Sequence, residues 1–296
     1  MEYRQLGKTD LQISRIAMGC MSLKPGHPEN EMLLKTALDS GINFFDTADL
    51  YDKGANEVLL GNAFAGCRSK VILATKVGNQ WKEDGSGWDW NPRKAYILKA
   101  VEESLRRLRT DYIDLYQLHG GTLEDPTDET IDAFGTLVRQ GKIRYYGISS
   151  MRPSVIRKWV SASSLSSVMI PYSLLDRRPE ETVFPLLQEH NIGVLTRGSL
   201  AQGLLIDKPA KPYLNYTTEQ VAQLQKAIKR SAPSNEEATQ MALQFVLQHA
   251  SVTATVAGIR TLTQLKAALS TGSITVSEAL QELGSLLPVN QYEAHR

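Results

Sequence analysis

Short apolar runs alternate with stretches of helical period along most of the chain. The runs are rich in β-branched or aromatic residues, which predicts strands, and the stretches between them place apolar residues on one face of a helix. The predicted strands cover residues 16–18, 42–45, 71–74, 112–118, 143–148, 168–170, 192–195 and 254–256. The predicted helices cover residues 29–40, 56–64, 92–109, 127–140, 153–160, 179–190, 236–249 and 261–270. Eight such alternations predict an α/β fold, a closed (β/α)8 TIM barrel.

The alternative fold is a doubly wound open sheet, whose parallel strands are also buried on both faces and give similar apolar runs. Such a sheet is expected to carry a phosphate-binding G-x-G-x-x-G after an early strand, and the sequence has none there. The chain has 296 residues, a length at which α/β barrels form one unit. We therefore predict a single barrel domain over residues 1–296.

Three segments fall outside the alternation. Residues 3–14, "YRQLGKTDLQIS", have apolar residues on each side of a turn sequence, which predicts a β-hairpin before the barrel. The tryptophan-rich segment "KVGNQWKEDGSGWDWNP" predicts a functional loop of about fifteen residues. At its end, Asn91 and Pro92 predict the N-cap and the first position of a helix. Residues 198–235 contain three prolines and predict a mobile flap.

Composition and charge argue against several classes of partner. Hydrophobic residues make up 42% and charged residues 22% of the chain, as in ordinary globular proteins, and the formal net charge is +1. This charge gives no field that attracts nucleic acid or a membrane surface, so we expect a small-molecule partner. The sequence shows no membrane-spanning run and no secretory signal, which predicts a cytoplasmic protein, and we expect a monomer or weak oligomer. Cys20 and Cys67 are too few for a disulfide framework or a zinc site, so no metal is expected.

Ionisable side chains stand at the ends of several predicted strands. Asp46 ends the second strand with Tyr51 just beyond it, Lys76 ends the third, and His119 ends the fourth. In a (β/α)8 barrel the C-terminal ends of the strands surround one mouth, where functional residues lie. We therefore expect these four side chains to converge.

Together, the four groups suit the protonation of an oxygen atom. A phenol has an ordinary pKa of about 10, and a nearby ammonium stabilises the phenolate. Lys76 would supply that ammonium, and Asp46 would keep it charged and oriented. His119 would hydrogen-bond a carbonyl or share the proton of the phenol. Tyr51 would then protonate a carbonyl oxygen as a hydride arrives at its carbon.

The motifs that carry these residues resemble those of the aldo-keto reductase family. They are "GINFFDTADLYD", "GANEVLLG", "VILATKVG", "DYIDLYQLHG" and "IRYYGISS", and the resemblance extends over nearly the whole chain. It implies an oxidoreductase that transfers hydride from NADPH to an aldehyde or ketone on a (β/α)8 barrel. It also implies Tyr51 as the general acid, with Asp46, Lys76 and His119 as its catalytic companions. The N-terminal hairpin resembles the plug that closes the bottom of the barrel in that family.

The resemblance also implies where NADPH or NADP⁺ binds. The carboxamide would lie near Ser149 and Ser150, the pyrophosphate along residues 196–203, and the adenosine phosphate along residues 258–265 at a helix N-terminus, which favours phosphate. The other implied cofactor contacts are Arg197, Gly198, Leu200, Gln202, Gly258, Arg260 and Gln264, with Arg260 the candidate for the 2′-phosphate. The candidate contacts for the substrate are Cys20, Met21, Trp81 and Trp88.

The sequence departs from the family's pattern at several cofactor positions. Met169 stands near the position of a usual glutamine, and Arg197 stands where an aromatic residue usually stacks on the nicotinamide. Ala267 and Ala268 replace an acidic residue and an asparagine. These departures motivate an alternative function, a nicotinamide-binding redox sensor or regulatory subunit with weak turnover.

Single residues near the expected mouth also have other interpretations. A buried Lys76 could form a Schiff base, as in barrel aldolases, although an Asp46 partner opposes the lowered lysine pKa that this chemistry requires. Asp49 and Asp52 are expected to cap the following turn or face solvent. The presence of several acidic residues near the expected mouth is therefore not in itself evidence of function.

Overall fold

The structure, a computed structural model, describes residues 1–271 and 278–296. Its strands are β1 (Tyr3–Gln5), β2 (Gln12–Ser14), β3 (Ile16–Gly19), β4 (Phe44–Asp46), β5 (Ile72–Val77), β6 (Asn79–Trp81), β7 (Trp88–Trp90), β8 (Ile113–Leu118), β9 (Ile143–Ser149), β10 (Ser167–Pro171), β11 (Gly193–Arg197) and β12 (Val252–Gly258). Strands β3, β4, β5, β8, β9, β10, β11 and β12 pair in parallel, and β12 also pairs with β3 to close the barrel. The predicted (β/α)8 barrel is confirmed, and each predicted strand overlaps one barrel strand.

Helices connect the barrel strands and cover their outer face. They are α1 (Asn30–Asp39), α2 (Ala55–Ala63), α3 (Lys94–Leu108), α4 (Thr127–Arg139), α5 (Pro153–Ala162), α6 (Val183–Glu189), α7 (Thr218–Ser231), α8 (Asn235–Leu247), α9 (Leu262–Leu269) and α10 (Glu278–Ser285). Their buried apolar residues recur at helical spacing, as Ala133, Phe134 and Leu137 do on α4. In the described ranges, no helix has the length and apolar composition that crossing a bilayer requires.

Apolar side chains fill the inside of the barrel. One buried cluster contains Ala17, Phe44, Ala74, Leu115, Met169, Leu195 and Ala254, each from a different strand. Leu6, Leu11 and Ile13 of the hairpin formed by β1 and β2 belong to the same cluster. Gly7 has a φ of +54°, and a Cβ there would lie 2.6 Å from the amide of Gly193 at the start of β11. The predicted N-terminal hairpin therefore plugs the end of the barrel where the strands begin.

Two segments that were expected to be irregular contain regular structure. The tryptophan-rich segment is an antiparallel hairpin in which Trp81 of β6 pairs with Trp88 of β7. Residues 198–235 contain the 14-residue helix α7, which begins with a capping box between Thr217 and Gln220. The three prolines lie outside this helix, so the segment is partly regular, and its mobility stays a prediction.

The predicted starts of two helices are wrong. Helix α3 begins at Lys94 with Arg93 at the N-cap. Asn91 Oδ1 instead accepts a hydrogen bond of 3.1 Å from the Arg93 amide, so Asn91 shapes the turn before the helix. Helix α6 begins at Val183, because the residues predicted to start it form a separate 3-10 turn, Arg178–Glu180. Helix α10 was not predicted.

Candidate active site

The carboxyl ends of three barrel strands bring the predicted acid-base residues together. Strands β4, β5 and β8 are neighbours in the barrel. Asp46 is the last residue of β4, Lys76 lies near the end of β5, and His119 directly follows β8. Tyr51 begins the short 3-10 segment Tyr51–Gly54 that follows β4. All four side chains therefore lie at one end of the barrel, opposite the hairpin plug.

Lys76 is the centre of this group. It is 1% exposed, and its Nζ donates to Asp46 Oδ2 at 2.6 Å, to the Thr47 carbonyl at 2.7 Å and to the Tyr51 hydroxyl oxygen at 3.4 Å. Burial by itself lowers the pKa of Lys76, but the adjacent Asp46 carboxylate and the Tyr51 contact outweigh it, so the pKa is raised. Lys76 is therefore a buried cation, whereas a Schiff-base nucleophile needs a lowered pKa.

His119 lies against Tyr51 as a neutral side chain. The two ring centroids are 5.8 Å apart with the planes at 84°. Burial, together with the positive charges of Lys76 and Arg197, lowers the pKa of His119 to about 3. Its Nδ1 is buried and has no hydrogen-bond partner within the described residues. The imidazole thus carries one N–H donor and no proton that it can lose at neutral pH.

The backbone after Tyr51 adopts a conformation that is unusual for residues with side chains. Asp52 and Lys53 have φ angles of 48° and 55°, and Gly54 follows with a φ of 85°. A non-glycine residue in this conformation costs about 1–3 kcal/mol and persists only where neighbours hold it. Trp81 Nε1 donates to the Leu50 carbonyl at 3.3 Å, and Lys53 Nζ lies 5.1 Å from the centre of the Trp81 ring system. The hairpin β6–β7 therefore supports the segment that carries Tyr51.

The residues predicted to hold the cofactor lie at the ends of β9, β11 and β12, just beyond these strands, and at the start of α9. Ser149 and Ser150 are buried at the end of β9, whereas Gly198, Gln202 and Gly258 are exposed and Leu200 and Gln264 are half-buried. Arg197 and Arg260 are exposed, and neither forms an ion pair within residues 1–271 and 278–296. The charge of Arg197 acts on both Asp46 and His119, so the end of β11 faces the same mouth. Gln264 Oε1 accepts from the Arg260 amide at 2.8 Å.

Comparison with known proteins agrees with this geometry. The model of the aldo/keto reductase family matches residues 15–281. The chain belongs to the aldo/keto reductase family. The uncharacterized oxidoreductase YqkF of Bacillus subtilis (strain 168) is 45% identical over 307 aligned positions, covering 100% of both chains. Membership of this family makes the protein an oxidoreductase.

Solved structures support the same family and fold. The aldo-keto reductase AKR11C1 from Bacillus halodurans, in its holo form, has a TM-score of 0.94 and 46% identity, over 100% of this chain and 99% of that chain. The glycerol dehydrogenase AKR11B4 from Gluconobacter oxydans has a TM-score of 0.84 and 25% identity, over 99% of both chains. Both matches support the aldo/keto reductase fold of the described residues.

The predicted substrate contacts of this aldo/keto reductase differ in accessibility. Met21 and Trp88 are 62% and 48% exposed, and Trp81 is half-buried against the Tyr51 segment. Cys20 is fully buried in the core, where burial raises the pKa of its thiol. The role of Cys20 in lining the pocket therefore stays a prediction. No cluster of three or more His, Cys, Asp or Glu that could hold a metal ion occurs in the described part of the chain.

Some polar residues of the site were missed by sequence reasoning. Gln117, on β8, donates from Nε2 to Asp46 Oδ1 at 3.3 Å. A polar residue inside a buried apolar strand was the available signal for it. Asp49 was expected to be a cap or to face solvent, but it is buried, and so is Glu57. Asp52 is exposed as expected. Met169, at the position of the usual glutamine, is buried in the inner barrel cluster.

Proposed function

We propose that the protein reduces aldehydes or ketones with NADPH, and that Tyr51 is the general acid. The observation that carries this proposal is the contact of the buried Lys76 with both Asp46 and Tyr51 at the mouth of the barrel. Membership of the aldo/keto reductase family supports the reaction class.

The three N–H donors of Lys76 determine how Tyr51 acts. An ammonium has three N–H groups, and those of Lys76 point to Asp46, to the Thr47 carbonyl and to the Tyr51 oxygen. Tyr51 therefore accepts from Lys76 and keeps its own O–H for a substrate. When that proton passes to a carbonyl oxygen, the ammonium stabilises the phenolate that remains. Solvent then returns a proton to Tyr51.

His119 has a different role in this proposal. Because its pKa is lowered to about 3, it is neutral and does not supply the proton. Its single N–H donates a hydrogen bond to the carbonyl oxygen and stabilises the negative charge that develops there. In this proposal both groups act on one oxygen atom, and the edge-on packing of His119 against Tyr51 supports it.

The residues at β11, β12 and α9 fit a phosphorylated dinucleotide. Arg197 and Arg260 are exposed cations without a carboxylate partner among the described residues. Arg197 ends β11, and Arg260 lies just beyond the neighbouring strand β12. At the N-cap of α9, the Thr261 side chain accepts from the Gln264 amide, and the earlier first-turn amides have no acceptor within the helix. Arg260 and this helix end would hold a phosphate, and Arg197 would lie beside the nicotinamide or a phosphate. A bound NADPH would supply the hydride.

The first part of the test titrates the protein with NADPH and with NADH and measures binding by tryptophan fluorescence. The second part measures the oxidation of NADPH with a panel of carbonyl compounds. We expect tighter binding of NADPH and its oxidation with at least one aldehyde or ketone. Tight binding with no oxidation by any member of the panel would instead support the redox sensor or regulatory subunit.

A further inference from the structure

A second group of ionisable side chains lies beneath the segment that carries Tyr51. Asp49 stands between Asp46 and Tyr51 in the chain, and its side chain is buried rather than directed to the mouth. The ionisable groups that face it are Glu57 of α2, Tyr96 and Arg107 of α3, and Tyr116 of β8. From β5, Lys76 presents its backbone carbonyl, which accepts from the Asp49 amide at 3.2 Å.

Arg107, the cation of this group, pairs with Glu57. Arg107 Nε donates to Glu57 Oε2 at 2.6 Å, and Thr75 Oγ1 donates to Glu57 Oε1 at 2.6 Å. Glu57 is fully buried, and its ion pair engages Arg107, the cation of the group. In residues 1–271 and 278–296, Asp49 has no Lys, Arg or His within ion-pair distance. Two buried acids with one cation favour the neutral form of one acid.

The hydrogen bonds identify Asp49 as the neutral acid. The Tyr96 hydroxyl lies 3.4 Å from Asp49 Oδ2 and 3.4 Å from the Asn79 carbonyl, but it has only one proton to donate. Asp49 Oδ1 is buried and has no partner with hydrogen-bond geometry among the described residues. An ionised Asp49 would leave one of these acceptors unsatisfied. A proton on Asp49 Oδ2 allows Asp49 to donate to Tyr96, and Tyr96 to donate to Asn79.

The electrostatic environment of Asp49 favours the same protonation state. Burial, with a further contribution from the negative charge of Glu57, raises the pKa of Asp49 to about 8. Arg107, the Leu50 amide and Tyr96 oppose this rise without cancelling it. The proton is therefore present at neutral pH and is lost in the mildly alkaline range.

We propose that Asp49 is a positioning residue that works as a neutral acid: it donates to Tyr96, Tyr96 donates to the Asn79 carbonyl, and this relay fixes the Tyr51 segment against the start of the hairpin β6–β7. The second tie between the two is the hydrogen bond from Trp81 to the Leu50 carbonyl. Ionisation of Asp49 breaks the relay and loosens Tyr51 from Lys76. Their contact is already 3.4 Å long, so a small displacement removes it. The catalytic consequence rests on the proposed function, but the protonation of Asp49 does not.

The first arm of the test measures stability and needs no activity. Thermal unfolding midpoints are compared between about pH 5 and pH 9 for wild type and Asp49→Asn, whose amide keeps a donor for Tyr96. The unfolded chain releases the Asp49 proton near its ordinary pKa, whereas the folded protein keeps it up to about pH 8. Wild type therefore loses stability relative to the variant as pH rises, and the difference stops growing above about pH 8. The matched control, Asp52→Asn, changes an exposed acid on the same segment and should follow wild type.

The second arm measures turnover against pH. Wild type should lose kcat with a midpoint near pH 8, and Asp49→Asn should keep neutral kcat and lack this decline. Tyr96→Phe breaks the relay at every pH and should lower kcat by about tenfold with the binding of NADPH unchanged, the effect of one hydrogen bond. A decline that persists in Asp49→Asn would overturn the positioning role. If the difference in unfolding midpoint between wild type and Asp49→Asn does not change with pH, the relay is overturned, and this result does not depend on the activity measurements. If no carbonyl is reduced, the proposed function fails and the first arm still decides the relay.

Discussion

Replacing Asp46 by asparagine tests the buried ion pair at the base of the site. The substitution Asp46→Asn preserves the size of the side chain and removes the negative charge that lies 2.6 Å from Lys76 Nζ. The two carboxylate oxygens accept from two donors, Lys76 Nζ and Gln117 Nε2. An amide has only one oxygen, so its nitrogen faces one of these donors in either orientation. Lys76 then keeps the Thr47 carbonyl and Tyr51 but no counter-ion.

The size of the effect follows from burial. Lys76 and Asp46 have side chains that are 1% and 6% exposed, and removing one partner from such a buried pair lowers the free energy of unfolding by about 3–5 kcal/mol. Without Asp46, burial lowers the pKa of Lys76, and the unfolded chain binds more protons than the folded one. The loss of stability therefore shrinks as pH rises. A neutral Lys76 no longer stabilises the phenolate of Tyr51, so kcat should fall by about 10²–10⁴.

Urea unfolding of the wild type and the variant, at neutral and at alkaline pH, measures this loss. The control is Asp89→Asn, which removes the exposed pair of Lys82 and Asp89, whose side chains are 45% and 69% exposed. Such a surface pair contributes less than about 1 kcal/mol. If Asp46→Asn unfolds within about 1 kcal/mol of the wild type at both pH values, the description of Lys76 as a buried, paired cation is refuted.

Three further predictions concern the mouth and the packing of the helices. Between about pH 5 and 7, kcat/KM should show no inflection near the ordinary imidazole pKa of 6.5, because the pKa of His119 is lowered to about 3. An inflection in this range that disappears in His119→Gln would contradict the neutral state of His119. Arg260→Ala should weaken the binding of NADPH by about tenfold or more, as expected for a charged hydrogen bond, and leave the binding of NADH nearly unchanged. Equal losses of affinity for the two nucleotides in a fluorescence titration would reject Arg260 as the contact of the 2′-phosphate. Gly61→Ala should destabilise the protein by about 1–3 kcal/mol or more, because its Cβ would lie 2.3 Å from the Arg107 carbonyl oxygen of α3. Gly135→Ala on α4 meets only the flexible end of a side chain at 3.4 Å and should stabilise by about 0.5–1 kcal/mol; thermal unfolding that ranks the two variants in the other order would reject this account of the helix packing.

The barrel could be predicted because periodicity alone marks its strands and helices. Segments whose structure depends on other contacts were less predictable. The hairpin β6–β7 has a Gly-rich turn that indicates a loop, and its paired strands lie against the Tyr51 segment, which is distant in the sequence. Helix α7 had a readable signal in Thr217, Gln220 and its apolar spacing, which the surrounding prolines obscured.

The candidate site shows the same division. Asp46, Tyr51, Lys76 and His119 could be placed at one mouth because each stands at or just after a strand end. The state of each group could not be predicted, because burial and neighbouring charges from distant parts of the chain set it. Asp49 illustrates this: only the fold brings Glu57 and the residues of α3 and β8 against it.

The most direct test of the central claim compares Tyr51→Phe with Tyr3→Phe, which makes the same chemical change on the hairpin at the other end of the barrel. NADPH affinity and kcat are measured for both variants and the wild type with one carbonyl substrate from the panel. We predict that Tyr51→Phe lowers kcat by about 10²–10⁴ with the Kd for NADPH nearly unchanged, and that Tyr3→Phe matches the wild type. Turnover of Tyr51→Phe within about tenfold of the wild type would contradict the assignment of Tyr51 as the general acid.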